Sequence, residues 1–192
     1  MHNLVIAISG KAGSGKTTHA RKLAEIFSLR YVSNGMLFRQ LANDLGVSFK
    51  ELHRMAEKDP SIDKLVDERA REEAKKGNVV IEGHLACWLL RDLADLCIIF
   101  TAPLEERARR IAEREGRDFE EVLAEIRLRE ASNRARAKKY YGVDLEDWSV
   151  ADLVVNTYRL LPDSVDRVLT IFVLSYLEEK KLNLAGASRK ER

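Results

Sequence analysis

Only two cysteines, Cys87 and Cys97, occur in the 192 residues, too few for a disulfide-stapled scaffold. Both lie among apolar neighbours, so they are expected to be buried free thiols in a reducing compartment. No apolar run approaches the roughly 20 residues that a bilayer crossing needs. Met1-His2-Asn3 leads straight into an apolar segment, which leaves no room for a signal peptide, and a cytoplasmic location is expected. Charge of one sign is also missing: 33 basic against 31 acidic residues leave +2, which gives no argument for a nucleic-acid partner. Proline is scarce, and Pro60, Pro103 and Pro162 each stand where a helical pattern begins. There is one glutamine against many Lys, Arg and Glu, a balance that leans towards thermophilic proteins. Repeats and low-complexity stretches are absent. A chain of this length with 45% hydrophobic residues can bury the core of one domain, 1–192.

What is present is organised around Gly10-Lys11-Ala12-Gly13-Ser14-Gly15-Lys16-Thr17, which fits G-x-x-x-x-G-K-[ST]. Glycines allow backbone conformations in which successive N–H groups turn inward around a phosphate. Lys16 adds a point charge for the β- and γ-phosphates, and the Thr17 hydroxyl can ligate Mg²⁺. The context agrees. Leu4-Val5-Ile6-Ala7-Ile8 reads as a buried parallel strand, and Ala20, Leu23, Ala24 and Phe27 mark one face of a helix. Strand, glycine loop and helix N-terminus make an anion site, with Gly10 to Thr17 and the following Thr18 as its ATP-binding residues.

Further along, strand patterns at 29–32, 79–82, 96–100 and 153–155 alternate with helical ones. Ser48-Phe49-Lys50-Glu51 and Asp118 with Glu121 read as capping boxes, and Asp59-Pro60 opens another helix. The tail 185–192 loses its periodicity and is expected to fray. These elements predict an α/β fold: a doubly wound, five-stranded parallel sheet with helices on both faces. Ligands then sit beyond the carboxyl ends of the strands, where Ser33, Glu82 and Thr101 fall.

The phosphate loop alone does not name the reaction. No D-x-x-G, N-K-x-D or L-S-G-G-Q occurs, which removes regulatory GTPases and ABC-type ATPases. Val32-Ser33-Asn34-Gly35-Met36-Leu37-Phe38-Arg39 resembles the nucleoside monophosphate kinases, with the aromatic before the arginine nearer to the cytidylate kinases. Arg129-Glu130-Ala131-Ser132-Asn133-Arg134-Ala135-Arg136 is similar to the R-D-x-x-D-x-x-R segment of the bacterial cytidylate kinases. Tyr141-Gly142-Val143-Asp144 and Asp152-Leu153-Val154-Val155-Asn156-Thr157 look like the short archaeal type. Two departures stand out: Glu82-Gly83-His84 replaces the bacterial D-G-R, and Asn133 replaces an aspartate.

The resemblance implies a P-loop kinase fold with a nucleoside monophosphate (NMP)-binding helical segment, 34–77, and a lid segment, 114–136. It implies phosphorylation of CMP or dCMP by ATP with Mg²⁺, catalysed by Lys16, Arg110, Arg129 and Arg136. Ser33, Gly35, Arg39, Gly83, His84 and Asn133 would bind CMP. Thr17 would hold the metal and Glu82 would orient its waters. Arg39 is expected to carry most of the phosphate recognition, with His84 helping only when protonated, more at pH 6 than at pH 8. A kinase for UMP or AMP is the near alternative. A non-catalytic ATP-binding module that holds RNA is the distant one, disfavoured because Arg127 to Lys139 contains no aromatic to stack on bases. No membrane and no nucleic acid is expected as partner, and a monomer is.

Overall fold

The computed structural model describes residues 3–190, with side chains described as far as Lys181 apart from Glu57. Five strands run β1 (Val5–Gly10), β2 (Arg30–Ser33), β3 (Val79–Glu82), β4 (Leu96–Thr101) and β5 (Leu153–Asn156). They form one sheet in the order β2-β3-β1-β4-β5, and every adjacent pair is parallel. Parallel neighbours need crossovers, which the helices supply: α1 (Lys16–Ile26), α2 (Asn34–Asp44), α3 (Phe49–Lys58), α4 (Pro60–Lys75), α5 (Ala86–Leu89), α6 (Leu104–Glu115), α7 (Phe119–Tyr141) and α8 (Pro162–Lys190).

Alternation along the strands sorts the core into two faces. Val5, Ala7, Val79, Ile81, Cys97 and Ile99 pack with α2 to α5. Leu4, Ile6, Ile8, Val80, Ile98 and Phe100 pack with Ala20, Leu23 and Ala24 of α1 and with Val165, Leu169 and Val173 of α8. The central strand β1 is buried throughout, so its near-continuous apolar run is what a sheet covered on both faces requires. The segment 34–77 is not a separate body. Leu37, Phe38, Leu52, Ile62 and Val66 belong to the same cluster as the sheet residues. Helices α6 and α7, which contain the segment expected as a lid, form a hairpin with its own small cluster around Ala108, Ile111, Val122, Leu123 and Ile126.

The predicted caps are in place. Glu51 N–H donates to Ser48 Oγ at 3.1 Å, Ser61 N–H to Asp59 Oδ1 at 2.9 Å, and Glu121 N–H to Asp118 Oδ1 at 3.0 Å. Cys87 and Cys97 are free and buried, as expected. The predicted fraying of 185–192 is corrected as far as 190, where the backbone is still helical. Ala185, Ala187, Arg189 and Lys190 favour helix, and one Gly186 is too small a penalty to end it. Residues 191 and 192 lie outside the described residues. Val168 of α8 is exposed, while Val165, Leu169 and Val173 are buried. Among the described residues no helix is long and apolar enough to cross a membrane.

Candidate active site

The loop between β1 and α1 takes the shape that its glycines permit. Gly13 has φ +76°, and a β-carbon there would lie 2.6 Å from the Arg107 carbonyl oxygen, so α6 packs against bare backbone. Gly15 precedes α1 at φ +90° with no side-chain cap, leaving the first-turn N–H groups of α1 to an external acceptor. Ser14 Oγ is buried without a partner inside the same loop. An uncapped helix start and an orphaned hydroxyl in one cradle suit a bound phosphate.

A cleft of about 250 Å³ opens over this cradle, between Gly13, Gly15, Lys16, Thr17 and Thr18 on one side and the α6–α7 hairpin on the other. The hairpin contributes Arg114, Glu125, Ile126 and Arg129 to its lining. Lys16 therefore sits among like charges. Burial lowers its pKa below the ordinary lysine value, Glu82 pulls it back up, and Arg129, Arg114 and Arg107 lower it further. Such a cluster of positive groups is stabilised by an anion.

Glu82, at the end of β3, is 6% exposed. Its Oε1 lies 2.8 Å from Thr17 Oγ1 and accepts from Tyr31 O–H at 2.7 Å; Oε2 lies 3.0 Å from Thr17 Oγ1. Thr17 and Glu82, widely separated in sequence, thus form one hard-oxygen pair beside the cradle.

The predicted arginines divide. Arg129 lines the cleft. Arg110, expected at the transferring group, is engaged by Glu106, by Thr157 and, at 3.4 Å, by the Gly13 carbonyl of the phosphate loop. Its Nη1 and Nη2 donate to Thr157 Oγ1 and Thr157 O, both at 2.9 Å, and its Nε donates to Glu106 at 2.8 Å. It ties α6 to the end of β5. Arg136 lies away from the cleft, on the side where α7 faces α4. It donates to Asp63 Oδ2 at 3.0 Å and Asn133 Oδ1 at 2.8 Å, and its Nε is buried without a partner.

Around the ends of β2 and β3 the other predicted residues gather. Ser33 caps α2, accepting from Met36 N–H at 3.2 Å, and Gly35 follows in the first turn. A β-carbon on Gly83 would fall 2.7 Å from the Asn34 side chain, so only glycine lets that amide lie over the end of β3. Asn34 Oδ1 and His84 Nε2 are both buried without partners. Arg39 is exposed and rests over the Phe49 ring, 5.2 Å from its centroid. His84 corrects another expectation. Burial, with the Lys16 charge beside it, pushes its pKa down to about 4, so without ligand it is neutral at pH 6 and pH 8 alike. It offers a hydrogen bond rather than a charge.

Sequence reasoning missed Arg107, which is 3% exposed. It donates to the carbonyls of Ala102 at 2.9 Å and Ala12 at 3.1 Å, and pairs with Glu130. Lys11, expected at the phosphates, lies 3.0 Å from Glu146, which also accepts from Arg134 at 2.9 Å. Asp63 and Asp67 on α4 were missed as well, since charges spaced one turn apart on a helix normally mark a solvated face. Only Arg107's short spacing from Arg110 and Arg114 marked it as part of a cluster.

The sequence model of the cytidylate kinase-like family matches residues 5–159. A relative named cytidylate kinase from Staphylothermus marinus is 47% identical over 176 residues, covering 92% of this chain and 99% of its own. Another of that name from Pyrobaculum islandicum is 50% identical over 178 residues, covering 90% and 97%. Among solved structures, an uncharacterized protein from Eubacterium ventriosum superposes with a TM-score of 0.71 at 22% identity, over 90% of this chain and 99% of that one. Shikimate kinase from Acinetobacter baumannii, in complex with shikimate, does so at 0.61 and 16% identity, over 90% and 93%. Likeness at such identities shows the fold alone.

Proposed function

The chain belongs to the cytidylate kinase-like family, and from that premise we propose that it transfers the γ-phosphoryl group of ATP to CMP or dCMP. An oxygen of the CMP phosphate forms the new bond to the γ-phosphorus, and the bond from that phosphorus to the β–γ bridging oxygen breaks, giving CDP and ADP. The acceptor oxygen is already anionic at neutral pH, so no general base is required. Alignment and charge neutralisation remain for the protein to supply.

The observation that carries this reading is the cleft in which Lys16 and Arg129 converge on an uncapped helix N-terminus. Phosphate-loop N–H groups and Lys16 would hold the ATP phosphates, with Arg129 balancing charge from the lid side. Arg110, bound to Thr157, is assigned to shaping the adenosine side. Ser33, Gly35, Arg39, Asn34, Gly83 and His84 would receive the CMP phosphate and sugar, where the orphaned Asn34 and His84 atoms gain partners. The donor set also fits Mg²⁺. Thr17 Oγ1 would ligate it and Glu82 would hold its waters, and the ion would spread the charge of the β- and γ-phosphate oxygens. All these residues come from one chain, so a monomer suffices.

An ADP-release assay with CMP, dCMP, UMP and AMP tests the reading. CMP and dCMP should be turned over best, and Lys16→Ala should lower kcat by about 10³-fold or more while leaving the fold intact. A folded parent that releases ADP with none of the four, or a Lys16→Ala variant of near-normal rate, would contradict it.

A further inference from the structure

We propose that Asp63, on the inner face of α4, accepts a hydrogen bond from the 4-amino group of the cytosine ring and so sets the preference for cytidylate over uridylate. The inference rests on the kinase reading above and names the residue that selects its acceptor. Helix α7 runs from the donor cleft to the wall opposite α4. Arg129 stands in the cleft, and Arg136 lies about 10 Å further along the helix axis at 1.5 Å per residue. There Arg136 meets Asp63 across the gap at 3.0 Å, and one turn along α4 the Asp67 carboxylate accepts from Tyr141 O–H. The base of a bound monophosphate lies beyond its phosphate by the length of the ribose, which carries it from the reaction centre towards this wall.

The wall is rich in acceptors. Ile62, Val66, Ala70 and Ala74 turn into the core, which leaves Asp63 and Asp67 half-buried beside them. Asp63 spends Oδ2 on Arg136 and Asp67 spends Oδ2 on Tyr141, so both Oδ1 atoms have no partner among the described residues. One carboxylate, Asp63, pairs with a guanidinium whose own Nε is buried and unpartnered, and the second lies one turn along α4. Cytosine offers a donor at its 4-amino group, next to acceptors at N3 and O2. A carboxylate with an arginine beside it is the complement of that edge. Uracil carries an oxygen where cytosine carries the amine, and a carboxylate repels it. Adenine also carries an amine, so this contact separates CMP from UMP and not CMP from AMP.

The test compares kcat/KM for CMP, UMP and the 5′-monophosphate of 2-pyrimidinone riboside, which is CMP without its 4-amino group. The parent enzyme should use the pyrimidinone compound about 10- to 100-fold less well than CMP. Asp63→Asn, whose amide can serve either base, should lower the CMP-to-UMP ratio at least about 10-fold, with KM for ATP unchanged. It should also no longer separate CMP from the pyrimidinone compound. If Asp63 only steadies Arg136, all three acceptors will fall by one factor and the ratio will stay, which overturns the inference. A parent enzyme that treats the pyrimidinone compound as it treats CMP overturns it without any variant. Failure with every monophosphate would instead sink the kinase reading on which this one stands.

Discussion

A guanidinium already filled by protein acceptors is a poor ligand for an incoming phosphate, and that separates the arginines of this protein. Arg107 and Arg110 spend their donors on carbonyls, Thr157 and two glutamates, so they build the walls. Arg129 makes no ion pair among the described residues and lines the cleft, so it remains available to substrate. The resemblance grouped Arg110 with Arg129 and Arg136 because a motif carries no record of which acceptors lie opposite each side chain. A similar argument applies to Asp67. Burial pushes its pKa up to about 6, with Asp63 adding to the effect and the Tyr141 hydrogen bond opposing it, while Arg136 pairs with the neighbouring carboxylate. The folded state therefore resists ionising it, whereas the unfolded chain ionises it freely from about pH 4. Asp67 costs stability above pH 6, and the cost fades as the pH falls towards 4. Asp67→Asn, which keeps an acceptor for Tyr141, should stabilise the fold by up to about 2 kcal/mol at pH 8 and by nothing at pH 4. Melting both proteins at the two pH values checks it; a gain equal at both would show that charge burial is not the cause.

At the scale of elements, the pieces with local causes were legible and the pieces with distant causes were not. The capping side chains at Ser48, Asp59 and Asp118 announce α3, α4 and α7 in the sequence, and the structure starts those helices there. Helix α5 has four residues, too few for any period to register. The strand order puts β1 between β3 and β4, an arrangement fixed by crossovers and not by any one strand's residues. The segment 114–136, expected as a lid, falls within the α6–α7 hairpin, which has its own apolar cluster. That cluster is small, and the hairpin also meets the body through polar contacts of Arg107 with the Ala12 carbonyl, Arg110 with Thr157 and Glu130 with Lys11. An element joined this way opens at lower free energy than the sheet does. Amide exchange over 114–129 should be faster than over β1 and β4 in the free protein, and a bisubstrate analogue that spans both nucleotide sites should slow it. Protection that appears only along the phosphate loop would mean that the hairpin does not close over the ligand.

For the whole molecule, the consequential feature is that one helix lines the cleft at one end and faces α4 at the other. Helix α7 presents Arg129 to the donor cleft, holds Arg107 and the phosphate loop through Glu130, and faces α4 with Asn133, Arg136 and Tyr141. The loop beyond it returns Glu146 to Lys11 and Arg134, which fastens the same helix to the phosphate loop from the other side. A ligand that fixes α7 at one end therefore removes part of the ordering cost of binding at the other. The two nucleotides should bind with positive coupling, and linkage requires the factor to be the same in either order. Calorimetric titration of CMP should give a dissociation constant about 5-fold or more lower when a non-hydrolysable ATP analogue is present. Glu130→Gln keeps the shape of that side chain but removes the charge that joins α7 to Arg107, so the factor should shrink towards one in that variant. Equal CMP affinity with and without the analogue in the parent protein would mean that α7 is a passive wall, and that donor and acceptor sites meet only at the phosphoryl group itself.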